Sequence, residues 1–155
     1  MTKAKPSRGF SPEAFVKRAQ RHFAFLEKFG FRRRKPTADA GVYWVEFVGP
    51  VTTVIVGLEW NEQYLFVELR NSNAPSQADV AFHLEDLLTL RAPGEKQGPP
   101  YANRPLSMEA TDRILRSYSM SLRKHATDFL AGDWSDFPAI NVLMERRVRE
   151  FESQQ

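Results

Sequence analysis

Residues 42–70 read VYWVEFVGPVTTVIVGLEWNEQYLFVELR, and the alternation within them decides the fold. Three runs, 42–48, 51–60 and 64–70, are rich in Val, Ile and aromatic residues, with Gly49-Pro50 and Asn61-Glu62-Gln63 between them. Such runs, short and broken by turn residues, predict an antiparallel meander. Gly49-Pro50 suits a type II′ turn. If it is a two-residue loop, Val45 lies opposite Val54 and Tyr43 opposite Val56. If Asn61-Glu62 is the next loop, Val54 opposes Leu69, Val56 opposes Val67 and Leu58 opposes Leu65.

Parity then sorts the side chains. One face collects Tyr43, Val45, Phe47, Val54, Val56, Leu58, Leu65, Val67 and Leu69, and it carries no charge. The other collects Val42, Trp44, Glu46, Thr53, Ile55, Gly57, Glu59, Tyr64, Phe66, Glu68 and Arg70. Gly57 leaves space beside Trp44 and Phe66. A face turned wholly to water does not ordinarily carry Trp44, Ile55, Tyr64 and Phe66 together. Either the C-terminal helices pack over it, or it meets another protein.

Helices flank the meander on both sides. Ser11 is a good N-cap, Pro12 suits the first helical position and Phe10 can staple onto Phe15. Phe15, Ala19, Phe23 and Leu26 form one stripe, and Gly30 is a natural left-handed cap, so a helix is expected over 12–29. A short strand follows at 31–34. Beyond the meander, a strand is expected at 80–82 and a short helix at 83–90, then a Pro/Gly-rich connection over 92–105. Ser107 opens a helix striped by Leu115, Tyr118, Leu122, His125, Ala126 and Phe129 and capped by Gly132. Residues 134–138, WSDFP, turn into a last helix with Ser135 as N-cap and Ile140, Leu143, Met144, Val148 and Phe151 inward. The expected fold is therefore α+β: an N-terminal helix, an antiparallel meander of three to four strands and a C-terminal helical hairpin. Residues 1–9 read as a flexible basic arm and 10–155 as one domain.

The charge is unevenly spread. Residues 1–35 hold eleven Lys and Arg against Glu13 and Glu27, a local charge of +9, whereas the rest of the chain sums to −6. Lys17, Arg21 and Lys28 share one helix face, with Phe25 on its flank. With Arg32, Arg33, Arg34 and Lys35 they form a set that suits a phosphate backbone, with Phe25 placed to stack on a base. The competing account is a solvated helix face followed by a charged edge strand, which discourages sheet-to-sheet association.

Catalytic signals are sparse. Cysteine is absent, which removes disulfides, thiolate metal sites and cysteine nucleophiles. There is no nucleophile elbow, phosphate-cradling loop or zinc-protease helix motif. His22, His83 and His125 fall on three separate elements. Asp79, His83, Glu85 and Asp86 are the densest polar cluster and read most simply as the acidic first turn of a helix. Glu46, Glu59 and Glu68 share the mixed sheet face, which leaves a hydrolase using paired carboxylates as a third reading. No catalytic residue, metal ligand or cofactor is assigned. No apolar segment resembles a signal peptide or a membrane span, so the expected compartment is the cytoplasm.

Two stretches carry a resemblance: FLEKFGF at 25–31 and DFLAGDWSDFP at 128–138. With the order helix, meander, long loop and helical hairpin, the chain resembles small uncharacterised bacterial α+β proteins, some of them similar to immunity proteins of toxin systems. The resemblance implies action by binding, through occlusion or sequestration of a protein partner. The residues expected to meet it are Trp44, Ile55, Tyr64, Phe66 and Glu68.

Overall fold

The computed structural model describes residues 9–74, 80–95 and 105–154. Of the expected features, Asp79, residues 1–8 of the arm and 96–104 of the Pro-rich connection lie outside them. The fold is α+β. Helix α1 (Pro12–His22) and the single turn α2 (Phe25–Lys28) precede six strands: β1 (Arg32–Arg33), β2 (Thr37–Asp39), β3 (Val42–Val48), β4 (Thr52–Glu59), β5 (Tyr64–Asn71) and β6 (Ala81–His83). Helix α3 (Leu84–Arg91) and a 3-10 turn at Pro93–Glu95 follow, then α4 (Met108–His125), the short α5 (Thr127–Leu130) and α6 (Phe137–Ser153).

All six strands join one antiparallel sheet in the order β1-β3-β4-β5-β6, with β2 also on β3. The strands beyond the expected three to four lie at its edges. β1 and β2 are two halves of one edge run along β3. Arg32 pairs with Val48 and Arg34 N–H donates to Glu46 O, whereas Thr37 pairs with Trp44, so the edge run holds one extra residue. Pro36 sits in that bulge, where its missing N–H costs the ladder nothing.

The second hairpin has the expected register, with Val54 opposite Leu69, Val56 opposite Val67 and Leu58 opposite Leu65. The first is shifted. Val45 pairs with Val56 and Tyr43 with Leu58, not with Val54 and Val56. Gly49 N–H bonds Thr52 O at 2.8 Å, so the two-residue tip is Pro50-Val51 rather than Gly49-Pro50. Gly49 does not have positive φ and forms no type II′ turn. It is needed for space: a Cβ there would stand 2.8 Å from Phe31 Cε1. The slip moves each partner by two residues, so it preserves parity and both faces keep their expected members.

Helices α1, α3 and α4 pack on the uncharged face. Phe15, Phe23 and Leu26 meet Val45, Phe47, Val54, Val56, Leu58, Leu69, Leu87, Leu88, Leu115 and Leu122 in one buried cluster. Ser11 Oγ accepts from Ala14 N–H, and Ser107 Oγ from Ala110 N–H, as their sequence positions predict. The long N-terminal helix is interrupted at Phe23 (φ −106°, ψ 9°), whose ring packs 6.4 Å from Phe47. α2 then ends in a Schellman turn: Gly30 has φ +90° and Phe31 N–H reaches Leu26 O, with both apolar partners buried. The expected 107–132 helix is likewise broken, at Ala126, before a second such turn at Gly132.

The aromatic elbow docks on the sheet from Thr52 of β4 to Phe82 of β6. Trp134 lies 5.0 Å from Phe129, 5.4 Å from Phe82 and 5.7 Å from Phe137. Its Nε1–H donates to Thr52 Oγ1 (2.8 Å), and that hydroxyl donates to Phe129 O (2.5 Å). From the elbow, α6 runs along α3. Its N-cap is Asp136, not Ser135, because Ser135 is held by Asp133 in a local turn. Of its expected inner face only Ile140 is buried; Leu143 and Met144 are partly covered, and Val148 (56%) and Phe151 (63%) are exposed. α3 has only eight residues against seventeen in α6, so it is too short to cover the last two turns.

Candidate functional site

Pairing aligns the mixed face into rows. Arg34, Glu46, Ile55, Glu68 and His83 form one row, and Thr37, Trp44, Gly57 and Phe66 the next. Phe66 lies over Gly57, where a Cβ would stand 2.0 Å from its Cζ. Tyr64 stacks on Phe66 at 6.0 Å and 26°, and the His83 ring is 5.6 Å away on the opposite flank. Trp44 Nε1–H donates to Glu46 Oε1 at 3.1 Å, which holds the indole along its strand.

Ile55 is buried at the centre yet belongs to no part of the main cluster. Trp44, Tyr64 and Phe66 are half-buried and are also separate from that cluster. The sheet therefore carries a second apolar group, built from its own side chains. Trp44, Ile55, Tyr64, Phe66 and Glu68 share one face as the sequence predicts, with Ile55 buried as its floor.

The acids here are spoken for. Glu46 lies 3.7 Å from Arg34, Glu68 lies 2.9 Å from Arg70, and Glu59 Oε2 accepts from Glu62 N–H. Glu46 and Glu68 flank Ile55 two strands apart, roughly 10 Å at normal strand spacing. This geometry offers no paired carboxylates with a shared proton. On this side Asp39, Glu46, Glu59 and Glu68 face Arg32, Arg34 and Arg70, so the patch is close to neutral.

The N-terminal cations do not form the single surface that their clustering suggests. Arg33 stands opposite Phe47 on the helical side and lies 3.6 Å from Glu27. Arg32 and Arg34 fall on the other side. Arg18 and Arg21 share Asp112 of α4 at 3.2 and 3.6 Å, and His22 Nε2 reaches the same carboxylate at 2.9 Å. Phe25 is partly buried, edge-on to Phe29 at 6.2 Å, with the Arg123 guanidinium 4.6 Å above its ring. That ring face is occupied and offers no platform to a base. Lys17, Lys28, Arg32 and Lys35 are exposed and form no ion pair among the described residues.

At the start of α3, the described members of the polar cluster, His83, Glu85 and Asp86, make local contacts. Asp86 Oδ2 accepts from His83 N–H at 3.1 Å in a capping box. Glu85 accepts from Tyr118 Oη–H at 3.2 Å, and burial, then the Glu85 charge, push the Tyr118 phenol well above its ordinary value. Among the described residues no group of three or more His, Asp or Glu is placed to hold a metal ion, and no helix is long and apolar enough to cross a membrane.

What sequence reading missed is on α4. Arg113, Arg116 and Arg123 recur opposite the Leu115/Tyr118/Leu122 stripe, a spacing visible in the sequence. The helix beside them was not. These features define a two-layer α+β protein with helices on one face of an antiparallel sheet. Compared with protein-family models, curated proteins and solved structures, the chain matches none.

Proposed function

We propose that this chain is a non-enzymatic binding module that engages a protein partner through the mixed sheet face, sequestering or occluding it as immunity proteins do. The observation that carries the reading is the Trp44–Phe66–Tyr64 ridge, which stands apart from the core on the side opposite α1, α3 and α4. Aromatic side chains around a desolvated centre, rimmed by paired charges, match the make-up of interface anchors and rim. The near neutrality of the patch favours a protein over a polyanion, and the engaged state of Glu46, Glu59 and Glu68 disfavours a hydrolase.

Tagged wild-type protein is expected to retain one partner from cells of its origin in fixed ratio. Trp44→Ala and Phe66→Ala, each with a cooperative thermal transition, are expected to lose it. Retention by both folded variants removes this face as the binding surface.

A further inference from the structure

The outward sides of α1, α2 and α4 make one cationic surface on the face of the molecule opposite the aromatic ridge. Asp112 joins α1 to α4 through Arg18, Arg21 and His22, and Arg123 joins α4 to α2 through Phe25. Arg113, Arg116, Met120 and Arg123 recur at helical spacing along α4 and are all exposed. Lys17, Arg18 and Arg21 lie alongside on α1, and Lys28 on α2. Seven cations thus share this side with three acids, Glu13, Glu109 and Asp112, while Glu27 and Lys124 at its margins are neutralised by Arg33 and Glu95, which leaves an excess of four positive charges. Asp112 alone serves two arginines and a histidine.

We infer that this surface binds the phosphate backbone of a nucleic-acid duplex without reading its bases. From Arg113 to Arg123 the row is about 15 Å long at the helical rise, which matches roughly four phosphates of one duplex strand. Arginine presents a rigid fork of donors suited to phosphate oxygens. Single strands are bound by combining charge with several free aromatic faces in succession, and here Phe25 is taken by Arg123, which leaves Phe29 as the one exposed ring among the described residues of this surface. Base reading requires an element that enters a groove, and α4 lies packed against α1 rather than standing free to do so. An anionic membrane needs a broad apolar strip among the cations, whereas among the described residues this surface exposes two large apolar side chains, Met120 of α4 and Phe29 at the end of α2. The inference is independent of the sheet-face reading, since the two surfaces share no residue.

Fluorescence anisotropy with a short random-sequence DNA duplex, and with double-stranded RNA of the same sequence, tests it. Binding is expected at low salt, indifferent to sequence, with log K falling against log salt at a slope of about −3 to −4 for some four released counterions. Arg113→Glu with Arg116→Glu, two exposed side chains without a partner among the described residues, is expected to weaken binding more than tenfold while the thermal transition stays unchanged. Trp44→Ala is expected to leave it intact. A flat salt dependence, no binding at low salt, or undiminished binding by the double variant overturns the inference. So does stronger binding to phosphatidylserine-containing vesicles than to either duplex at the same salt.

Discussion

The Phe66 ring lies across Gly57 on the neighbouring strand, so close that a Cβ at position 57 would stand 2.0 Å from Cζ. Gly57 has ordinary strand backbone with negative φ, so it serves the ring rather than a turn. Gly57→Ala is expected to displace Phe66 and destabilise the fold by about 1–3 kcal/mol through overpacking. In a Phe66→Ala background the same change is expected to cost close to nothing. A double-mutant cycle by urea denaturation measures the coupling. Equal cost in both backgrounds would show that the ring is not what the glycine accommodates.

Thr52 ties the C-terminal elbow to the sheet. Its buried hydroxyl donates to Phe129 O and accepts from Trp134 Nε1–H. Thr52→Val keeps the shape and strands both partners, so a loss of about 1–3 kcal/mol is expected. Trp134 lies in the same cluster as Phe82, and the fluorescence-detected unfolding transition should report the loss.

Asp86 and Arg147 form a charge contact between α3 and α6, beside that of Arg91 with the N-cap Asp136. Asp86 Oδ1 is nearly inaccessible and lies 2.5 Å from Arg147 Nη1, without an aligned hydrogen bond to any described donor. Because the arginine is 54% exposed, Arg147→Met is expected to cost only about 1–2 kcal/mol. In an Asp86→Asn background, where no buried charge remains to be stranded, the cost is expected to vanish. Chemical denaturation of the four proteins gives the comparison, and an unchanged cost would assign the effect to Arg147 packing alone.

Stability should fall on both sides of neutral pH, for separate reasons. Burial and then the Glu85 charge raise the Tyr118 pKa above its ordinary 10.0. Its contribution is complete below pH 10.0 and is lost as pH rises beyond it, by roughly 1.4 kcal/mol per pH unit. Tyr118→Phe is expected to flatten that alkaline limb. The Arg91 guanidinium, hydrogen-bonded to both oxygens of Asp128 at 2.9 and 2.7 Å, lowers the Asp128 pKa below its ordinary 3.8. Its contribution is present above 3.8 and is lost as pH falls through the lowered value, so Asp128→Asn should shallow the acid limb. Denaturation midpoints across pH check both signs.

The helix caps were legible because capping is local. Ser11, Ser107, Gly30 and Gly132 act within four or five residues of themselves. Ser135 misled because Asp133 offers its side chain a nearer acceptor. The breaks at Phe23 and Ala126 carry no glycine or proline signal, since the chain is turned there by packing. The last turns of α6 read as a buried stripe because periodicity states which residues share a face, but not how far the neighbouring helix extends.

The amino-acid sequence alone establishes the two faces of the sheet. Side chains alternate with a fixed period of two, so Trp44, Ile55, Tyr64 and Phe66 share a face even though the pairing of the first hairpin is shifted by two residues from the expected one. It also determined that the first 35 residues carry +9. Where that charge goes is settled by long-range packing. Arg18, Arg21 and His22 meet Asp112 some ninety positions away, Arg33 and Arg34 turn to opposite sides of an edge strand, and Arg113, Arg116 and Arg123 join the surface from α4. Coulomb attraction acts through space, not along the chain, so a charge block becomes a binding surface only once packing has chosen its neighbours.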